Sequence, residues 1–189
     1  GEQVQITVEK VEQMPGLVDV EGIMYTDVIV RLNESTDDLV YRFYAMPEKI
    51  NLCDLRGGRL PEAPDECLID GYHAGDDALG ATITVSETNE EDAVEGIVYK
   101  TYTVVGYVAT PLYMDMNRGT TSVGNGSLAN CLYVPDEGID MDIYAEICIT
   151  IPGDYDVYTD AYNDAMEAAA DALEPEVARL AQERFENLR

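Results

Sequence analysis

The chain has 189 residues and a mass of 20.8 kDa, the size of one ordinary domain. With 46% hydrophobic and 26% charged residues and a mean hydropathy of -0.17, it reads as a globular chain that needs no metal or disulfide staple. Its 11 basic and 38 acidic residues leave a net charge of -27 and a pI of about 4.1, which argues against binding nucleic acid or docking a basic patch on anionic lipid and favours solubility.

Thr7 before Val8, Glu9 and Val11 predicts an N-cap and a short helix that Pro15-Gly16 stops. Alternation then takes over. Leu17, Val18 and Val20, then Val28, Val30 and Leu32, then Val40, Arg42 and Tyr44 predict strands. Residues 56–64 and 70–80 are rich in Gly, Pro and Asp and predict loops on either side of a short strand, Cys67-Leu68-Ile69. Residues 82–85 read as a strand, 87–95 as an acidic turn and 97–108 as a long strand, the two strands pairing as a hairpin. Residues 131–134 and 147–151 complete the β set. The longest charge-free stretch, 101–114, holds Gly106 and Pro111 and falls short of the ~18–20 residues of a spanning helix. From Tyr158 onward there is no glycine, and Ala161, Ala165, Ala169 and Leu173 recur at helical spacing. Beyond Pro175, Val177, Leu180 and Leu188 continue an apolar stripe, so two helices, or one kinked at Pro175, are expected. The fold class is α+β, a mixed or antiparallel β core with short helices and C-terminal helices.

Cys53, Cys67, Cys131 and Cys148 are far apart and form no CxxC pair, so zinc is not expected. Each has an apolar neighbour (Leu52, Leu68, Leu132, Ile147), which favours mostly free thiols over two disulfides. His73 is the only histidine and is expected in a solvent-facing loop; a histidine triad or multi-histidine metal site cannot form. Gly124-Asn125-Gly126-Ser127-Leu128-Ala129 has the spacing of a dinucleotide loop but lacks the strand before it and the helix after it. The acidic clusters Asp136, Glu137, Asp140, Asp142 and Asp154, Asp156, Asp160 do not reproduce calcium-loop spacing. Carboxylates for glycoside hydrolysis could be drawn from the same pool, with nothing in their spacing to set two across a cleft. No catalytic residue, cofactor or metal is expected.

Two stretches are more specific. One is Leu55-Arg56-Gly57-Gly58-Arg59-Leu60-Pro61-Glu62-Ala63-Pro64-Asp65-Glu66-Cys67-Leu68-Ile69-Asp70. The other runs from Tyr102-Thr103-Val104-Val105-Gly106-Tyr107-Val108 through Pro111-Leu112-Tyr113 to Arg118-Gly119-Thr120-Thr121-Ser122-Val123-Gly124-Asn125-Gly126-Ser127. Together they resemble the extracytoplasmic domain of FtsX-like ABC transporter permeases, the MacB-like core of Gram-positive bacteria, over residues 8 to 160. Gly80-Ala81-Thr82-Ile83 stands where the family has its Gly-x-x-Ile strand, without the Asp that often follows the Gly. Family domains usually begin with a strand, of which residues 1–7 can hold only part.

The resemblance implies a MacB-like core over residues 1–157 and a helical segment, 158–189, leading toward the next membrane helix. It implies a non-enzymatic domain on the extracellular face of the cell membrane. Its partners would be the permease's transmembrane helices, a cognate cytoplasmic ATPase and an exported substrate or extracellular partner. The start at Gly1 rather than Met suits such an excised fragment. The alternatives are a stand-alone secreted binding module of the cell surface and an acid hydrolase using two carboxylates. The long loop 113–127 is the expected contact surface, with Tyr113 and Arg118 as its contact residues.

Overall fold

In the computed structural model, residues 8–72, 74–113, 117–141 and 144–187 are described; Thr7, His73, Met116, Asp142 and Leu188, which carry parts of the expectations above, lie outside them. The elements in chain order are α1 (Val8–Glu12), β1 (Val20–Ile23), β2 (Tyr25–Leu32), β3 (Leu39–Ala45), β4 (Asp54–Gly58), β5 (Glu66–Asp70), β6 (Thr82–Val85), β7 (Thr101–Ala109), β8 (Asn130–Val134), β9 (Glu146–Ile149) and α2 (Asp160–Asn187). They divide into two units. One joins residues up to Gly22 with those from Ile147 onward, and the other is Ile23–Glu146.

In the first unit β1 pairs with β9 as a two-stranded ribbon. Thr150 extends the pairing, its N–H donating to the Asp19 carbonyl at 2.9 Å while its own carbonyl accepts from Val18 N–H at 2.8 Å. Thr159 caps α2, its hydroxyl accepting the Tyr162 N–H at 3.2 Å. Of the two helices or one kinked helix expected there, the structure has one helix, with Pro175 inside it. Proline removes one backbone donor there. Packing on both sides offsets that loss, because Leu173 and Leu180 join one cluster with Val11, Met14, Val20, Ile147 and Ile149. Leu180 is only 2% exposed, so α1 and the ribbon cover the part of the stripe at Leu173 and Leu180, whereas Val177 stays 43% exposed.

The second unit is a mixed sheet in the order β4-β7-β5-β8-β3-β2-β6, and β6 pairs with β7 as well. The strands β7, β5, β8, β3, β2 and β6 therefore form a closed ring of hydrogen-bonded neighbours, with β4 lying along the remainder of β7. The β3–β8 and β5–β7 pairs are parallel and the others antiparallel. Alternation sends Val28, Val30, Tyr41, Phe43, Cys67, Ile69, Ile83, Tyr102, Val104, Leu132 and Val134 into one core cluster. The Tyr102 hydroxyl would be an orphan there; it donates to the Gly138 carbonyl at 2.6 Å.

The α+β class, the short first helix and the β6–β7 hairpin match the sequence reading. Two strands differ. β7 starts at Thr101 rather than residue 97, because Ile97 N–H is taken by the Val94 carbonyl, 2.9 Å away, and Ile97 makes only an isolated bridge to Ile139. β4 occupies ground read as loop. Its glycines serve contact rather than a turn: a Cβ on Gly58 (φ +75°) would stand 2.2 Å from the Val105 carbonyl oxygen.

Gly58→Ala is therefore expected to cost about 2–4 kcal/mol, against about 1–2 for Gly80→Ala, which has a similar φ of +82° but open space around it. Urea denaturation of both variants would check the difference. A second expectation concerns pH. Arg59, helped by the backbone N–H of Glu62, pulls the Glu66 carboxyl down to about 2 from 4.5. A carboxyl lowered on folding stabilises the native state above its unfolded value and loses that effect as pH falls toward the folded value. The denaturant midpoint of Arg59→Met should thus lie below wild type at about pH 6, and the gap should close near pH 2.

Candidate functional site

Strands β3, β8 and β5 bury both of their faces. The outward residues are Val40, Arg42 and Tyr44 on β3, Cys131 and Tyr133 on β8, and Leu68 and Asp70 on β5, and all but Arg42 are buried. This second face is polar at its edges and aromatic in its middle. The Tyr44 and Tyr133 rings stack at 5.3 Å, and Tyr25 tilts against Tyr44 at 5.4 Å. Arg42 makes a two-pronged pair with Asp27, at 2.6 and 2.8 Å, and lies 4.2 Å above the Tyr25 ring.

The loop after β7 closes over this face. At its near end the hydroxyls of Thr110 and Tyr133 share a hydrogen bond of 2.6 Å, and those of Tyr113 and Tyr44 one of 2.9 Å. Arg118 reaches inward to Asp70, with its guanidinium 5.1 Å from the centres of the Tyr72 and Tyr113 rings. The Asn130 side-chain amide donates to the Asp70 carbonyl at 3.3 Å.

Tyr113 and Arg118 are thus brought together, but not as exposed contacts. Tyr113 is half-buried, and Arg118 is 3% exposed, its charge spent on Asp70. A charged residue in a glycine-rich loop reads as solvated; here a buried carboxylate on β5 draws it inside. The sequence reading missed Asp70, Tyr44, Tyr133 and Thr110. Asp70 carried a usable signal, since an acid closing the apolar run Cys67-Leu68-Ile69 needs a cation if the run is buried on both faces.

A cavity of about 560 Å³ lies on the outer side of β2. It is lined by Asp27, by Glu90 and Asp92 of the acidic turn, and by Ser122, Val123 and Gly124 of the loop. None of the four cysteines forms a disulfide, in line with the expectation of mostly free thiols. Burial pushes the Cys53 thiol up to about 11 and raises Cys67 and Cys131 further. Burial also raises Tyr44, Tyr113 and Tyr133. These groups are un-ionised at neutral pH, and the hydroxyls of Tyr44, Tyr113 and Tyr133 pack and hydrogen-bond in that form. Among the described residues no three His, Cys, Asp or Glu side chains converge as a metal site, and no helix is long and apolar enough to cross a membrane.

No family model matches the chain, and no curated protein sequence matches it. Three solved structures are similar in fold. The extracellular domain of the ABC-type transporter YknZ from Gram-positive bacteria is 10% identical, with a TM-score of 0.44 over 84% of this chain and 75% of that one. The periplasmic region of MacB from Actinobacillus actinomycetemcomitans is 12% identical, with a TM-score of 0.43 over 87% of this chain and 71% of that one. A domain described as part of a permease protein from Porphyromonas gingivalis is 12% identical, with a TM-score of 0.46 over 89% of this chain and 76% of that one.

Removing one member of the Arg118–Asp70 pair should be costly, because the other charge stays buried. Arg118→Met is expected to lower the unfolding free energy by about 3–5 kcal/mol, and the double variant Arg118→Met, Asp70→Leu by less than Arg118→Met alone. A double-mutant cycle by chemical denaturation measures both.

Proposed function

We propose that this chain is the extracytoplasmic domain of an FtsX-like ABC transporter permease. It is non-enzymatic and couples the motion of a cytoplasmic ATPase to an exported substrate or an extracellular partner. The observation that carries this reading is the path of the chain. It passes through α1 and β1 into the strand-rich unit, then returns through β9, bonded to β1, into α2, which packs against α1. Entry and exit run side by side, as they must in a body inserted between two membrane segments. The residues that resemble the family support the same reading: Leu55 to Asp70 supply β4 and β5, and Tyr102 to Val108 supply most of β7. In this proposal the outer side of the loop after β7 meets the substrate or partner, while Tyr113 and Arg118 hold that loop in shape.

The relay is tested in the intact permease with its ATPase. Leu180→Asp places a charge between α1 and α2 and should lower transport by about tenfold or more while ATP hydrolysis continues. Wild-type transport in that variant would overturn the relay. The gene product should also carry apolar segments of ~20 residues on both sides of this chain. A signal peptide before it and nothing apolar after it would instead make the protein a secreted binding module.

A further inference from the structure

Residues 117–129 form a strap across the outward face of β3, β8 and β5. Its backbone bonds close largely upon itself: Thr120 bridges Ser127, Thr121 N–H donates to the Gly126 carbonyl at 3.2 Å, and Leu128 N–H to the Gly119 carbonyl at 3.3 Å. It is fastened to the sheet by the Arg118–Asp70 pair near one end and by Ala129 N–H to the Val40 carbonyl, 2.8 Å, at the other. Between them the tip at Gly124 lies over Val40 and Ile29 and forms one wall of the cavity beside β2. Leu128 is its one large apolar side chain in the buried core, 6% exposed.

A buried ion pair is a poor choice for stability alone. Desolvation consumes most of its attraction, and apolar residues of the same volume would fasten the strap as well or better. Such pairs are best attested where two arrangements must be kept distinct, because either charge left alone is strongly disfavoured. A segment with few apolar anchors and its own internal bonds can leave the sheet as one piece. We infer that the Arg118–Asp70 pair is a latch: it holds a strap that lifts as one hairpin, uncovering Asp70, Val40 and the Cys131 side of the sheet and opening the wall of the cavity beside β2. The inference does not depend on the protein being part of a permease.

Two cysteines report on it. Cys131 is fully buried beneath the strap, beside Asp70 and Arg118, whereas Cys67 is fully buried in the inner core with Tyr41. Burial raises both thiols, so a difference in labelling measures access rather than intrinsic reactivity. The folded wild-type chain is alkylated with iodoacetamide at increasing low urea, and the modified cysteines are located by mass spectrometry. Local lifting predicts that Cys131 reacts faster than Cys67 and that its rate depends less on urea. Asp70→Asn and Arg118→Lys should raise the Cys131 rate by about tenfold or more while Cys67 stays at its wild-type rate. If the two cysteines share one rate and one urea dependence in wild type, the strap opens only with the whole unit and the latch is overturned. An unchanged Cys131 rate in folded variants would overturn it too.

Discussion

One edge of β7 bonds to β5, and the other edge is divided, with Thr101–Thr103 given to β6 and Gly106–Ala109 to β4. A strand has only two edges, so three neighbours require one edge to be shared end to end, and nine residues provide the length. The sharing closes the ring. Without the β6 contact the sheet would end in two open edges, each a template for unwanted pairing. Gly106 marks the point where β4 comes close: a Cβ there would stand 2.5 Å from the Arg59 carbonyl oxygen. The run Thr103-Val104-Val105-Gly106 is therefore a structural signature, alternating into the core until the glycine lets β4 approach.

Closure has a consequence for the outside of the ring. Its inner face consumes the long apolar residues, yet β8 is buried along all five of its residues. Something must cover the outward side, and the chain uses a stretch of small and polar residues from the loop after β7. Such residues bring little apolar area, on the order of 25 cal/mol per Å². The loop is accordingly fastened through polar groups: tyrosine to tyrosine, threonine to tyrosine, arginine to aspartate. Each of these leaves an unsatisfied partner if broken, which makes the covered state specific rather than merely favourable.

Much of this was readable in the sequence, and the rest failed for identifiable reasons. Alternation in β2, β3 and β7 is a local property, so the strands and the hairpin of β6 and β7 were legible. The parallel pairs were not, because the partners Tyr41 and Asn130, or Glu66 and Thr103, are joined by long connections that leave no local mark. In β4, Gly57 and Gly58 gave the signal of a loop although their role is close contact with Tyr107 and Val105. Pro175 allowed two helices or one, and packing of Leu173 and Leu180 on either side of it goes with a single helix. The loop and its residues Tyr113 and Arg118 stood out in the sequence as an expected contact surface, whereas the direction in which Arg118 points was not legible. That direction is set by Asp70, 48 residues earlier in the chain.

The scarcity of cations gives that ion pair its weight. The chain has 11 basic residues against 38 acidic ones, and Arg31, Arg42, Arg56, Arg59, Lys100, Arg118 and Arg179 are each committed to a neighbouring carboxylate. Most of these pairs are exposed and contribute little individually. Two differ. Arg42–Asp27 is largely buried against Tyr25, and Arg118–Asp70 is sealed beneath the loop. Both lie on the outward face of the ring, one bordering the cavity and the other under the strap. Excess carboxylates repel one another and favour any opening that increases their separation. In a chain with so few cations, the two on this face are what keep Asp27 of β2 and Asp70 of β5 from standing there as unpaired, largely buried charges.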